Sequence, residues 1–291
     1  MIEISNLTKQ FGNVKAVDSL SITFNSGING LVGENGAGKS TLLRLIADVY
    51  EKDDGVIKID KLDNTELKAK ETVFFLSDNP YAPNNYTIKQ VFDLYTCLFK
   101  LNKDRFEEMM QKFSLPLDRR VSTFSKGMKR QFFVALALSS NAKYVLLDEA
   151  FDGLDPLVLD AIKQEIIKDA DEKTYIVSSH NISSLQRLCD NFIVLAKGRA
   201  TSNSNLEDIA VKYVKYQILA KSELTENDLT KIGANVVLFK KLGSVCNVVT
   251  TEDIDEEILR KFYDVVLFEK VAIEPDELIA LEMLNARKEN D

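Results

Sequence analysis

INGLVGENGAGKSTLLRLIADVY, residues 28–50, reads in three pieces. Ile28 to Val32 is a short apolar run of the kind that forms a strand buried on both faces. GENGAGKST, 33–41, is small and polar, and the residues after it repeat their apolar side chains at helical spacing. Strand, glycine loop and helix in that order satisfy G-x-x-x-x-G-K-[ST] in the context the motif needs, with Gly33, Gly38, Lys39 and Ser40 at its fixed positions. Asn35, Gly36 and Thr41 complete the loop. Small residues let successive backbone N–H groups curl into an anion nest, and the helix N-terminus adds positive potential. Lys39 then reaches the β- and γ-phosphates and Ser40 ligates Mg²⁺. The stretch predicts a site for a nucleoside triphosphate.

Two carboxylates extend that reading. YVLLDEA, 144–150, is an apolar strand ending in Asp148, which places one carboxylate beside the metal. Glu149 leaves the strand on the other side and reaches an attacking water as general base. Acidic pairs at strand ends also serve as helix caps, and it is the phosphate loop upstream that favours the catalytic reading. VSSHN, 177–181, holds the only histidine of the chain, His180, at the end of another apolar strand. Standing alone, it reads as a hydrogen-bonded core or surface residue.

The bulk properties restrict what surrounds the site. With 45% hydrophobic and 28% charged residues the composition is that of a globular protein, and 291 residues suit one large domain and a small one, or two of middling size. The longest apolar run, FFVALAL at 132–138, is far short of the ~18 residues that span a bilayer. MIEISNLTKQF lacks the layout of a signal peptide, so any membrane role is expected to run through a partner. Cys97, Cys189 and Cys246 are odd in number and form no CxxC, and they read as reduced, buried thiols of a cytoplasmic protein. From residue 221 onward 9 Lys/Arg face 16 Asp/Glu, while the rest is close to neutral. An acidic tail on a neutral body lacks the basic footprint of a nucleic-acid binder, and no nucleic-acid partner is expected.

Along the chain, IEISNL and AVDSLSITF alternate like half-buried antiparallel strands. DDGVIKID and TVFFLSD read as strands, followed by the Pro/Asn-rich NPYAPNNYT, helical periodicity from Ile88 to Phe113, and a helix in SKGMKRQFFVALALSSN. KYVLLDEA, TYIVSSH and NFIVLAKG are strands with helices between them, which predicts a mostly parallel sheet covered on both faces. After Lys215 the order becomes strand, helix, strand, strand, helix, strand, that of a ferredoxin-like unit, closed by the helix PDELIALEMLNARK.

FSKGMKRQ, 124–131, lies between the phosphate loop and YVLLDEA. It resembles the signature of the ATP-binding-cassette (ABC) family, which is close to LSGGQ followed by a basic residue. Ser125 and Gly127 match; Phe124, Lys126 and Met128 depart. SKGMK is similar to the variant in drug- and peptide-exporting systems whose membrane subunit is a separate chain. The serine also reads as a helix N-cap. The resemblance runs over roughly residues 1–215, with the other landmarks in order. It implies that Ser125 and Gly127 meet the γ-phosphate held by the opposite subunit, that Phe11 of KQFG stacks on adenine, and that Asp155 of GLDP sits at the dimer seam. It also implies that His180 is the switch histidine bonded to the γ-phosphate. Asp78 of FLSDNP stands where the family has its Q-loop glutamine. A carboxylate there can bind Mg²⁺ through water, but its shorter, charged side chain departs from the usual coupling contact.

The expected fold is therefore α/β: a P-loop NTPase core of ABC type with an antiparallel β-subdomain and a helical subdomain at about 80–140, in an ATP-binding domain over 1–215. A small α+β, ferredoxin-like accessory domain follows over 216–291. The resemblance implies an ATPase that binds ATP and Mg²⁺ and dimerises with itself or with a second ATPase subunit. It implies too that the dimer powers export by a separate transmembrane permease from the inner face of the cell membrane. Pro80, Tyr81, Pro83 and Tyr86 make a stiff, amphipathic loop suited to receive that permease. Two alternatives stand beside this one. A soluble ABC ATPase acting on nucleic acid or ribosomes would need long coiled coils, for which the 85 residues from Ser40 to Ser125 leave no room, or a second cassette. A P-loop kinase leaves Ser125, Gly127 and His180 without a role.

Overall fold

The computed structural model describes residues 1–180, 185, 188–189, 191–204 and 206–288. The chain divides into two compact units, Met1–Asn203 and Ser204–Asp291. The first unit opens with β1 (Ile2–Phe11), β2 (Val14–Phe24), β3 (Gly27–Gly33), α1 (Lys39–Ile46), β4 (Asp54–Ile59), β5 (Leu62–Asp63), α2 (Leu67–Lys70) and β6 (Val73–Leu76). It continues through α3 (Ile88–Thr96), α4 (Lys103–Lys112), α5 (Lys126–Leu138), β7 (Tyr144–Asp148), α6 (Pro156–Ile167), β8 (Thr174–Ser179), β9 (Asn191–Ala196) and β10 (Arg199–Ser204).

Two sheets organise this unit. The alternating strands near the N-terminus form an antiparallel sheet, β2-β1-β4-β5, whose inward residues Ile2, Ile4, Leu20, Ile22, Ile57 and Ile59 are buried. The second sheet runs β10-β9-β3-β8-β7-β6 and is parallel from β9 to β6. Every residue of β7 and β8 is buried, as continuous apolar strands covered on both faces must be. Register then fixes the site. Val32 pairs with Ser179, and Ser178 pairs with Asp148, so the carboxyl ends of β3, β8 and β7 lie side by side. In open α/β sheets that is the edge where ligands bind.

The helical region departs from one continuous periodicity. Ile88 to Phe113 is two helices, because the segment between them is pinned elsewhere: the Asn102 N–H donates to the Ser139 carbonyl at 2.7 Å. Asn102 then caps α4 and Thr87 caps α3 with a full capping box. The apolar run FFVALAL lies in α5 with all seven residues buried, so it fills the core. Arg105 fastens α4 to α6 and to the segment following it: it donates to Asp169 Oδ2 at 2.5 Å and to the Glu165 carbonyl at 2.9 Å, and Tyr175 holds Asp169 Oδ1 at 2.6 Å. These hydrogen bonds hold the Asp169 carboxyl below its usual range against the opposing effect of burial. Arg105→Ala leaves that carboxylate to Tyr175 and Lys173 alone and is expected to cost about 1–3 kcal/mol, read as a lower midpoint in urea.

The second unit contains α7 (Leu206–Ala210), β11 (Val214–Ala220), α8 (Glu226–Lys231), β12 (Val236–Leu242), β13 (Val245–Thr250), α9 (Glu256–Phe262), β14 (Val265–Val271) and α10 (Pro275–Lys288). Its sheet is antiparallel throughout, in the order β12-β13-β11-β14. Side chains alternate across it. Val248 packs with Leu229 and Leu259 on one face, and Val249 with Ile209, Leu278 and Leu281 on the other.

One sequence expectation changes, and two elements are added. Cys97 is exposed, because it ends α3 on its outer side, whereas Cys189 and Cys246 are buried as expected. β10 and α7 carry too little apolar periodicity to have been read as elements. Among the described residues no helix is long and apolar enough to cross a membrane.

Candidate active site

The phosphate loop surrounds a cavity of about 300 Å³ lined by Ala16, Asn35, Gly36, Gly38, Lys39, Ser40, Thr41 and Glu149. Gly38 caps α1 at φ 107°, where a Cβ would stand 2.3 Å from the Ala16 carbonyl oxygen. No other residue meets both conditions. Gly33 lies beneath the cavity, with Leu195 O 2.5 Å from where its Cβ would be. Lys39 is buried and closes the loop on itself: Nζ donates to the Gly33 carbonyl at 2.7 Å and the Glu34 carbonyl at 3.1 Å. Burial pushes the Lys39 ammonium below its usual pKa, and the carboxylates of Glu149, Asp148 and Asp152 oppose that shift.

Asp148 is fully buried at the end of β7. Its Oδ1 accepts hydrogen bonds from Ser40 Oγ at 2.9 Å and Ser178 Oγ at 2.7 Å. Its Oδ2 accepts no hydrogen bond; Arg44 Nη2 stands 3.9 Å away. Burial raises the Asp148 pKa, and the two hydroxyls partly offset it. A buried carboxylate oxygen without a hydrogen bond is one that a cation can satisfy.

Glu149 turns away at φ 49°, a left-handed conformation that costs a side-chain-bearing residue roughly 1–2 kcal/mol. Its N–H is held by both the carbonyl and the hydroxyl of Ser178, at 3.1 and 3.0 Å. The turn sends the carboxylate into the cavity, with Oε1 3.8 Å from Lys39 Nζ and Oε2 3.1 Å from His180 Nδ1. Burial, and then the neighbouring Asp152 carboxylate, raise Glu149 above the usual carboxylate range; Lys39 and His180 oppose this. His180 is 49% exposed and so is not a packing residue.

Lys39, Ser40, Asp148, Glu149 and His180 are thus brought together, and Asn35, Gly36, Gly38 and Thr41 line the same cavity. The remaining sequence-selected residues lie outside it. Phe11 is exposed and sits edge-on to Tyr50, with ring centroids 5.5 Å apart. Ser125 caps α5 by accepting the Met128 N–H at 3.2 Å, and Gly127 approaches the Gly153 carbonyl. Asp155 caps α6 through the Leu157 N–H. Asp78 accepts from Arg44 at 2.9 Å. Sequence reasoning missed Ser178, which holds both Asp148 and Glu149, and Arg44, which faces both Asp78 and Asp148. The two serines of VSSH were the only signal for the first; a lone arginine in a helix carries none for the second.

The family model of the ABC transporter matches residues 17–152. The ATP-binding protein NatA of Bacillus subtilis is 33% identical over 226 residues, covering 72% of this chain and 91% of the relative. The lipopolysaccharide export ATP-binding protein LptB of Escherichia coli is 29% identical over 72% of this chain and 94% of its own. The methionine import ATP-binding protein MetN 4 of Oceanobacillus iheyensis is 30% identical over 72% and 67%. Among solved structures, the dimeric bacterial ABC transporter cassette MJ0796 has the same fold, at a TM-score of 0.64 and 22% identity over 70% of this chain and 98% of that one. A relative this similar over nine-tenths of its length leaves one conclusion: the chain belongs to the ABC transporter family and is an ATPase that couples ATP hydrolysis to transport.

Proposed function

We propose that the chain powers export by a separate transmembrane permease, working at the cytoplasmic face of the membrane as a dimer with itself or with a second ATPase subunit. The observation that carries this reading is the meeting of Lys39, Ser40, Asp148, Glu149 and His180 at the ends of three adjoining strands. Backbone N–H groups of the 33–41 loop cradle the phosphates, and Lys39 exchanges its two loop carbonyls for phosphate oxygens. Glu149 takes a proton from the attacking water, and His180 holds the γ-phosphate. Mg²⁺ fits the residues present, since Asp148 Oδ2 is buried without a hydrogen bond beside the Ser40 hydroxyl. Ser40 and Asp148 would hold the ion, with Asp78 acting through water. Once bound, it would neutralise charge on the β- and γ-phosphates. Phe11, open to solvent, is the surface for adenine, while Ser125, Gly127 and Asp155, outside this cavity, are the parts offered to the partner subunit's nucleotide.

Export rests on the SKGMK variant and on the likeness to LptB; MetN 4 is the relative that speaks for import. The boundary expected at 215 falls inside β11, so we divide the chain at its compact units, an ATP-binding domain over 1–203 and an accessory domain over 204–291. The β12-β13-β11-β14 order, with helices after the first and third strands in chain order, supports a ferredoxin-like accessory domain.

The permease is received at a groove of about 310 Å³ whose lining includes Pro80, Tyr81, Pro83, Val121, Lys129 and Phe133. Tyr81 is 75% exposed, and its carbonyl is tied to Tyr95 Oη at 3.1 Å, so an aromatic ring is presented on a fixed backbone. Replacing Tyr81 and Tyr86 by alanine is expected to abolish co-purification with the membrane subunit and leave hydrolysis by the isolated chain unchanged. Undiminished co-purification rejects the groove as the docking site.

A further inference from the structure

Asp152, in the loop between β7 and α6, forms the third corner of a cluster with Glu149 and His180. We infer that Asp152 is a positioning residue: it is the second acceptor for the His180 Nδ1–H, onto which the imidazole swings to free Glu149 for the attacking water. The inference rests on the assignment of Glu149 and His180 made above and adds a residue that assignment does not use.

Three observations carry it. His180 Nδ1 lies 3.1 Å from Glu149 Oε2 and also 3.1 Å from Asp152 Oδ2. Only the first contact is a hydrogen bond; Asp152 Oδ2 is buried and accepts none among the described residues. The Asp152 carboxylate is also held in place. Ser179 Oγ donates to its Oδ1 at 3.1 Å, and Arg130 of α5 donates to its backbone carbonyl at 2.5 Å. An Nδ1–H has one proton to give. While Glu149 Oε2 accepts it, the carboxylate has one acceptor position fewer to offer the attacking water. A small rotation of the exposed imidazole toward Asp152 satisfies the orphaned oxygen and releases the base. The ring stays tethered at Nδ1 throughout. Two fixed acceptors restrict the rotamers that an exposed ring otherwise samples, so less ordering is left for nucleotide binding to supply.

The test is a double-mutant cycle read on the alkaline plateau of the pH profile, where Glu149 is ionised whether or not Asp152 is present. Asp152→Ala is expected to lower kcat about 10-fold or more, the size of a hydrogen bond to a charged group, with KM for ATP unchanged because Asp152 is not among the residues that line the phosphate cavity. Asp152→Asn keeps an acceptor oxygen and is expected to stay within about threefold of wild type. In a His180→Ala background Asp152→Ala is expected to have no further effect, since residues acting as a unit are not additive. An equal loss from Asp152→Ala with and without His180 overturns the inference and leaves the site assignment standing. A wild-type rate in His180→Ala alone overturns both.

Discussion

Glu149→Gln is expected to lower ATP turnover by roughly 10²–10⁴-fold, the contribution of a general base, while ATP binding persists. The two effects separate because the groups that hold phosphate, the loop N–H groups and Lys39, are not the group that takes the proton. Glutamine keeps the shape of the side chain and the Ser178 hydrogen bonds to the backbone N–H at 3.1 and 3.0 Å, so the turn at φ 49° survives. The substitution also removes one of two carboxylates that face each other. Asp152 raises the Glu149 pKa, so the folded state carries a repulsion that glutamine relieves, and the melting temperature is expected to hold or rise. In the wild type the same shift has a kinetic sign. A base whose pKa is raised loses its charge earlier as pH falls, so the acid limb of kcat is expected above 4.5, the ordinary value for a glutamate. The measurements are single-turnover hydrolysis, nucleotide binding by equilibrium titration, and sizing with ATP, in which the variant accumulates as an ATP-bound dimer. Near-wild-type hydrolysis would show that another residue is the base.

Much of this site was legible because its chemistry is tied to local pattern. The 33–41 loop lies between a buried strand and a helix, and each feature that makes it a phosphate cradle is set within nine residues. Asp148 and His180 could be placed because apolar strands of a parallel sheet end on one edge, so strand-terminal residues meet without any knowledge of their long-range partners. What was not legible depends on register. Ser178 serves both Asp148 and Glu149 only because it pairs with Asp148 across β7 and β8, a one-residue fact that hydrophobic pattern does not encode. The break between α3 and α4 was hidden for a similar reason. Its cause is the hydrogen bond from Asn102 to Ser139, a residue 37 positions away. From β11 onward the second unit was readable in element order because short apolar runs are separated by polar helical stretches, but which face each helix covers came only from the clusters on either side of β13.

His180→Ala is expected to lower turnover by about 10²–10³-fold, the usual loss when one positioned donor to a developing charge is removed. The structure separates this from a packing effect. The imidazole is 49% exposed, and its polar contacts are with the Glu149 and Asp152 carboxylates, so its loss opens no cavity in the core. What remains is a pair of carboxylates no longer bridged by the ring, in contact with water. A melting temperature within a few degrees of wild type is therefore expected, since the loss is on the order of 1 kcal/mol for a partly exposed contact. ATP binding is expected to weaken little, because Lys39 and the loop supply most of the phosphate contacts. Dimer formation with ATP is expected to survive as well, which sets the variant apart from one that misfolds. The measurements are steady-state hydrolysis beside thermal unfolding on the same preparation. A drop of ten degrees or more with turnover intact would make the only histidine a structural residue, and the roles drawn around it would have to be reassigned.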